Sequence, residues 1–175
     1  LRVLVSERAA LQGQLAAESA PTAWVLRVLM RGLYPRAAAV IAVSQGVAKE
    51  LAAALGPTAV PICEIANPID VVALRQRAIE PLQHPWLAPG EPPVLLAVGR
   101  LVSQKDFPTL LQALHRLRQR RPVRLVILGD GPLRPALERH IHDLGLGDAV
   151  ALPGFCANPM AWMGRAAVFV LSSCS

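Results

Sequence analysis

The sequence has few aromatic residues, little lysine and only three cysteines. Aromatic residues occupy 4% of its 175 positions, too few to predict a platform on which nucleic-acid bases would stack. The cysteines, Cys63, Cys156 and Cys174, are odd in number and lack paired spacing. We therefore expect a reducing compartment rather than a disulfide-bonded scaffold. No apolar run reaches the roughly 18 residues that predict a membrane-spanning helix.

The positive charge is almost entirely arginine. The formal net charge is +6, and such a balance attracts anions of any kind, including nucleotides, nucleic acids and acidic membranes. The densest arginine group, between Arg116 and Arg124, is interpreted as a solvated helix face, with peripheral contact to an anionic membrane as the alternative. No nucleic-acid partner is expected. No Cys/His cluster has the spacing of metal ligands, so no metal site is predicted.

The most informative stretch begins with the apolar run Val94–Val98, which is followed directly by Gly99 and Arg100. A polar loop then carries Lys105, and an amphipathic helix begins near residues 106–108. A continuous apolar run bounded by glycine is typical of a strand buried on both faces. The loop after such a strand lies at the carboxyl end of a parallel sheet, where open α/β sheets bind ligands. An arginine and a lysine there would suit a diphosphate; an ordinary surface loop is the alternative.

Regular strand and helix patterns follow this loop. Strands are predicted over 125–128, 149–152 and 167–171, with helices over 133–144 and 159–165, so the sequence predicts an α/β fold with a doubly wound parallel sheet. Upstream, apolar strands near residues 1–6, 38–43 and 61–65 alternate with helices predicted over 9–18, 23–33 and 47–55.

Three further expectations concern the first half of the sequence. Ser44 is predicted to cap the helix that follows it. Trp24, Val28, Leu29 and Leu33 share one helical face and are predicted to pack in a core. Residues 71–93 hold several prolines and little periodicity after Ile79, which indicates a linker or domain crossover.

Several motifs in register resemble the retaining family 4 glycosyltransferases, also described as glycosyl transferases group 1. The motifs that carry the resemblance are Tyr34-Pro35, Ala42–Ala48, Asn67–Asp70, Gly99-Arg100-Leu101, Gln104-Lys105-Asp106, Leu128–Pro132, Leu152–Phe155 and Val168–Ser173. The resemblance implies the GT-B fold, in which two Rossmann-like domains face each other. Residues 1–70 would then end the acceptor-side domain, 71–93 would link the domains, and 94–175 would begin the donor nucleotide-sugar-binding domain.

The resemblance also implies roles for individual residues. Gly99, Arg100 and Lys105 would bind the donor diphosphate. The nucleotide pocket would be formed by Gly129, Asp130, Gly131, Pro153, Gly154 and Phe155. Asp130 would have a supporting role, and Phe155 could instead be a core residue. The reaction would need no metal or other cofactor and would move a sugar from a UDP- or GDP-sugar to a glycan or lipid-linked acceptor in the cytoplasm, with the inner face of the membrane as a possible location.

The family places an acidic motif that contacts the donor sugar just beyond the position of Ser175. Because the sequence starts at Leu1 and stops before that motif, we expect a fragment whose catalytic residues are unknown and which is inactive alone. Two alternatives keep the fold: a non-catalytic nucleotide-sugar-binding protein and a UDP-sugar epimerase. A dinucleotide-dependent oxidoreductase is disfavoured because Val98-Gly99-Arg100 does not lead into a three-glycine turn.

Overall fold

The computed structural model describes residues 3–8, 19–57 and 60–174. The chain divides into two compact units, Leu1–Ile69 and Asp70–Ser175. The helix predicted over residues 9–18 lies outside the described residues.

The first unit contains a parallel sheet with the strand order β1-β2-β3. Its elements are β1 (Leu4–Glu7), α1 (Ala20–Leu33), a 3-10 turn (Tyr34–Arg36), β2 (Ala39–Ala42), α2 (Gln45–Leu55) and β3 (Ile62–Glu64). Ser44 caps α2 by accepting a hydrogen bond from the backbone N–H of Val47, which confirms that prediction. One face of α2 then packs on the central strand: Val47, Leu51 and Leu55, spaced four apart, are buried with two β2 residues.

The predicted core role of the apolar α1 face is wrong for the described structure. Trp24, Val28, Leu29 and Leu33 are 67%, 49%, 49% and 57% exposed. Helix α1 contacts the core of its unit through Met30 instead. Helical periodicity identifies an apolar face, but it does not identify the surface that the face contacts.

The second unit is a four-stranded parallel sheet with the order β6-β5-β4-β7. Its strands are β4 (Val94–Val98), β5 (Arg124–Leu128), β6 (Val150–Gly154) and β7 (Val168–Phe169). Its helices are α3 (Val71–Ile79), α4 (Phe107–Arg118), α5 (Arg134–Asp143) and α6 (Pro159–Met163), with 3-10 turns at Pro85–Leu87 and Ser103–Lys105. The chain steps from β4 to β6 in one direction and then returns to β7 on the other side of β4. The topological switch point therefore lies between β4 and β7, which is where ligands bind in open α/β sheets.

Both faces of this sheet are covered, as a doubly wound fold requires. On one face, α4 and α5 bury Leu111 and Leu137 against Leu125 and Ile127 of β5. On the other face, Trp162 of α6 packs against strand residues that include Leu96. These two layers explain why the strands are near-continuous apolar runs rather than alternating ones.

Residues 71–93 differ from the linker that the sequence predicts. They begin with helix α3, which is capped by Asp70 and packs on α6. Asn158 and Arg165 donate side-chain hydrogen bonds to backbone carbonyls at the end of α3, those of Arg77 and Ala78. These bonds satisfy carbonyls that a helix end leaves free, and the prolines follow the helix instead of interrupting it. The segment therefore belongs to the second unit.

Candidate functional site

Backbone hydrogen bonds join the loops that follow β4, β5 and β6. The N–H of Gly99 donates to the carbonyl of Leu128 at 2.9 Å, and the N–H of Gly129 donates to the carbonyl of Gly154 at 2.7 Å. The loop after β4 is tied again to the loop after β5 by the N–H of Leu101, which donates to the carbonyl of Asp130 at 2.9 Å. The three loops therefore form one continuous backbone surface at the carboxyl edge of the sheet.

Two glycines allow these loops to approach so closely. A Cβ on Gly129 would lie 2.0 Å from the carbonyl oxygen of Gly99, and the φ angle of Gly129 is 135°. A Cβ on Gly131 would lie 2.6 Å from the carbonyl oxygen of Leu101. Side chains at these positions would push the loops apart, so glycine is required by contact at both positions and also by backbone shape at Gly129.

A cavity of about 480 Å³ opens on this surface. It is lined by Val98, Gly99, Arg100, Leu128, Gly129, Asp130, Phe155, Cys156 and Pro159. Five of the nine predicted site residues are among them, from all three loops. Phe155 is 85% exposed at the cavity, so its alternative role as a core residue does not hold. The ring presents an apolar surface to a ligand in the cavity.

Two cations from the loop after β4 lie at this edge of the sheet. Arg100 is exposed and lines the cavity, and Lys105 is half-buried. The Lys105 side chain crosses Gly99 so closely that a Cβ on this glycine would lie 3.3 Å from its Cε atom. Within the described ranges, neither cation has a carboxylate within 4 Å. Uncompensated cations at a switch point are suited to binding an anionic ligand.

The residue after Lys105 keeps its own carboxylate away from this pair. Asp106 has left-handed backbone angles, with φ and ψ both 45°. Its carboxylate accepts a hydrogen bond from the N–H of Thr109 and so caps α4. Non-glycine residues in this conformation are uncommon and strained. The nearest acidic residue in sequence is thereby used as a helix cap.

Comparison with known proteins assigns the family. Residues 79–175 match the family described as glycosyl transferases group 1, which covers more than half of the chain. This chain belongs to that family. The match includes every predicted site residue of the three loops.

The relatives of this group 1 chain are glycosyltransferases. It is 32% identical to N-acetylgalactosamine-N,N'-diacetylbacillosaminyl-diphospho-undecaprenol 4-alpha-N-acetylgalactosaminyltransferase of Campylobacter jejuni, over 85% of this chain and 39% of that protein. It is 36% identical to the lipopolysaccharide core biosynthesis glycosyltransferase LpsE of Rhizobium meliloti, over 49% of this chain and 24% of that protein. The chain therefore spans about two fifths or less of the length of these two relatives.

Solved structures support the same fold. The chain matches Anabaena HepE in complex with UDP with a TM-score of 0.76 and 22% identity, over 99% of this chain and 47% of that chain. At this identity the likeness shows the fold alone. The parallel sheets and this neighbour confirm the predicted GT-B type of α/β architecture.

The side chain of Asp130 is fixed by hydrogen bonds from two nearby residues. Its carboxylate accepts hydrogen bonds from the N–H of Gly131 at 2.7 Å and from Arg134 Nε at 3.2 Å. These two bonds, and the positive charge of Arg134, lower the pKa of Asp130. Asp130 is therefore ionised at neutral pH and its contacts shape the loop, which fits a supporting role.

Arg134 is a residue that the sequence analysis does not identify. Both terminal nitrogens of its guanidinium donate to the carbonyl of Leu152 at 3.2 Å, and one also contacts Glu138 at 3.1 Å. Arg134 thus connects the Asp130 loop to the end of β6, next to the predicted pocket segment Pro153–Phe155. Its four-residue spacing from both Asp130 and Glu138 is the sequence signal that could have revealed it.

The described residues hold neither a group of metal ligands nor a membrane-spanning helix. In the ranges 3–8, 19–57 and 60–174, no three His, Cys, Asp or Glu residues are grouped as metal ligands would be. None of the helices that the structure describes is both long enough and apolar enough to cross a lipid bilayer.

Proposed function

We propose that this protein is a retaining glycosyltransferase that moves a sugar from a UDP- or GDP-sugar to a glycan or lipid-linked acceptor. The observation that carries the proposal is the pair Arg100 and Lys105 at the switch point of the second sheet. Both cations lack acidic partners among the described residues. Arg100 lines a cavity whose size suits a small-molecule ligand, and the Lys105 side chain lies against Gly99, which also lines it.

The charge of the pair matches the chemical need of the reaction. When the bond between the sugar and the diphosphate breaks, negative charge develops on the departing nucleoside diphosphate. Arg100 can donate two parallel hydrogen bonds to its oxygens, and Lys105 adds a point charge. Such preorganised charge stabilises the transition state more than the ground state. We propose that the pair fulfils this role without a metal ion and that the nucleotide leaves from the face on which the acceptor attacks.

The other residues of the site would position the nucleotide. The loop glycines Gly99 and Gly129 line the cavity, and Phe155 offers a ring face to a base. The hydrogen bond from Arg134 to the carbonyl of Leu152 fixes the residue directly before the pocket segment Pro153–Phe155. We propose that these features form the nucleoside pocket next to the diphosphate site.

The relatives support the classes of donor and acceptor. The name of the Campylobacter relative specifies a diphospho-undecaprenol acceptor, and LpsE is named for lipopolysaccharide core synthesis. HepE was solved with UDP. By analogy, we propose a nucleotide-sugar donor and an acceptor linked to lipid or polysaccharide. The cytoplasmic location, with the inner face of the membrane as the alternative site, stays a prediction from the sequence.

A calorimetric titration with UDP, GDP and NAD tests the proposal. We expect one nucleoside diphosphate to bind and Arg100→Ala/Lys105→Ala to abolish that binding. Arg116→Ala/Arg120→Ala is the matched control, because it removes the same charge from exposed positions on α4 and in the turn after it and should bind as the wild type does. Binding of NAD in place of a diphosphate, or equal losses in both double variants, would refute the assignment.

Phosphorus NMR of the corresponding nucleotide-sugar then separates transfer from binding. A transferase should release the nucleoside diphosphate, with water or an added glycan as acceptor, and proton NMR of the glycoside product should show that the anomeric centre keeps the donor's configuration. Conversion of the sugar with the diphosphate bond intact would indicate an epimerase. Because the sequence predicts that this chain is inactive alone, turnover is measured on the full-length protein, and binding without turnover there would indicate a binding protein.

A further inference from the structure

The segment that follows β7 is tied to the turn that carries Lys105. Strand β7 lies beside β4, and its continuation is held there by the N–H of Val170, which donates to the carbonyl of Leu96 at 2.8 Å. Two residues later, the hydroxyl of Ser172 donates to the backbone carbonyl of Lys105 at 2.7 Å. The N–H of Cys174 donates to the carbonyl of Gln104 at 3.1 Å. These two bonds span the switch point of the sheet.

The carbonyl of Lys105 depends on this contact. Lys105 immediately precedes Asp106, the cap of α4, and the first carbonyl of the helical hydrogen-bond ladder is that of Asp106, which accepts from Leu110. The Lys105 carbonyl thus lies outside the ladder. Among the described residues, the Ser172 hydroxyl is the hydrogen-bond donor that reaches it.

Besides the bonds from Ser172 and Cys174, the turn is closed by two hydrogen bonds of its own. It is three residues long, Ser103–Lys105, and it is closed by hydrogen bonds from the N–H groups of Lys105 and Asp106 to nearby carbonyls at 3.0 Å. It leads directly into the left-handed Asp106, a conformation that persists only where neighbouring contacts enforce it. The bond from Ser172 to the Lys105 carbonyl therefore restrains the backbone directly before Asp106.

We propose that Ser172 is a positioning residue for Lys105. Its hydroxyl fixes the Lys105 backbone, which holds the lysine side chain across Gly99 and directs the amine to the diphosphate. The inference deepens the proposed function and rests on it. It also gives the segment after β7 a defined role, because the position of this segment controls the cation that stabilises the leaving group.

Nucleoside diphosphate affinity measures the effect. Using whichever of UDP or GDP the wild type binds, we expect Ser172→Ala to raise the Kd about 3- to 10-fold, the usual range for the loss of one neutral hydrogen bond. Ser172→Thr keeps the hydroxyl and should stay within about twofold of the wild type. Thr109→Ala is the matched control, because it deletes an exposed hydroxyl close to the same turn that makes no hydrogen bond within the described structure.

A double-mutant cycle distinguishes positioning from a general structural effect. If Ser172 acts through the lysine amine, Ser172→Ala should leave the Kd of a Lys105→Ala protein unchanged. Amide hydrogen exchange at Lys105 and Asp106 should be faster in Ser172→Ala than in Thr109→Ala, with or without nucleotide. If Ser172→Ala does not fold, Ser172→Cys, which has a similar volume and is a weaker donor, takes its place in both measurements.

The outcomes separate the two proposals. A wild type that binds UDP or GDP, with Ser172→Ala binding equally well, would overturn the role of Ser172 and leave the proposed function intact. A Ser172→Ala loss that persists in the Lys105→Ala background would also overturn it, because Ser172 would then act without the lysine. A wild type that binds neither diphosphate would overturn the proposed function itself.

Discussion

Gly129→Ala should lower the free energy of unfolding of the second unit. The loss should exceed that of alanine at Gly131, Gly145 or Gly147. The new Cβ would lie 2.0 Å from the carbonyl oxygen of Gly99, whereas real Cβ contacts below 3.0 Å essentially do not occur. The obstructing atom belongs to the backbone, so no side-chain rotation can relieve the contact. The φ angle of 135° adds a second penalty, because residues with a Cβ rarely adopt it.

The size of the effect follows from these two contributions. A backbone conformation of this kind costs about 1–3 kcal/mol. Forcing extra volume into a packed site costs about 1–3 kcal/mol more. The free energy of unfolding should therefore fall by about 2–6 kcal/mol, a large part of the 5–15 kcal/mol or so that stabilises a typical domain. Because Gly129 lines the cavity, nucleotide affinity should fall as well.

Three other glycines provide a graded control series. Gly131 would meet the Leu101 carbonyl oxygen at 2.6 Å without a left-handed φ angle, so alanine there isolates the contact. Gly145 has a φ angle of 64° and no described atom within 4 Å of an added Cβ, so alanine there isolates the strain, about 1 kcal/mol. Gly147 has neither feature, and alanine should change stability by no more than about 1 kcal/mol.

Urea unfolding followed by tryptophan fluorescence is a suitable assay. Trp162 is 5% exposed and Trp86 is half-buried, and both belong to the second unit. Trp24 of the first unit is 67% exposed, so its emission should change less on unfolding. The predicted loss of stability is largest for Gly129→Ala, intermediate for the Gly131 and Gly145 variants, and smallest for Gly147→Ala. Equal stability of the Gly129 and Gly147 variants would refute the close approach of the loops.

Three further changes have defined outcomes. Arg134→Ala should weaken nucleoside diphosphate binding and lower the stability of the second unit by about 1 kcal/mol, because the bonds of Arg134 are partly solvent-exposed. Arg134→Lys should recover only part of the lost affinity and stability. Unchanged affinity and stability in Arg134→Ala would contradict the link between the loops. Phe155→Ala should weaken nucleotide binding about tenfold if the ring stacks on the base, with an unchanged urea midpoint because the ring is 85% exposed; a loss of stability without a loss of affinity would favour a packing role. Burial, and then the charge of Arg124, lower the pKa of His84, whose Nδ1 accepts a bond from the Trp86 N–H. The neutral form is therefore the stabilising one: its contribution is complete above the ordinary histidine pKa of about 6.5 and is lost as the pH falls through the lowered pKa. His84→Asn keeps an acceptor for the Trp86 N–H and should reduce the dependence of the unfolding midpoint on pH between about 7.5 and 5. An unchanged slope would refute the contribution of neutral His84 to stability.

The second sheet could be predicted from the sequence because its strands are buried on both faces. Continuous apolar runs ending in glycine or proline marked β4, β5 and β6, and the loops after them therefore had to lie at one edge. The return of the chain to β7 beside β4 could not be read from the pattern, since strand order depends on tertiary packing. That order is what brings Ser172 to Lys105.

Other features depend on contacts between distant residues. The prolines after helix α3 made its segment resemble a linker in the sequence. The bonds from Asn158 and Arg165 to its final turn join residues about eighty positions apart, so the sequence pattern could not predict them. The exposure of the α1 face could not be foreseen, because an apolar stripe is the same in sequence whether or not it is covered. The contact of Arg134 with the Leu152 carbonyl could not be predicted, because it joins the start of α5 to β6.

The most direct test of the central claim compares a nucleoside diphosphate with its own nucleoside. The Kd values of UDP and uridine, or of GDP and guanosine, would be measured for the wild type and for Arg100→Ala/Lys105→Ala. If the two cations bind the diphosphate, the wild type should prefer the diphosphate by about 100-fold or more, and the double variant should bind both ligands within about tenfold of each other. A preference that survives the loss of both cations would show that other groups bind the diphosphate and would contradict the account.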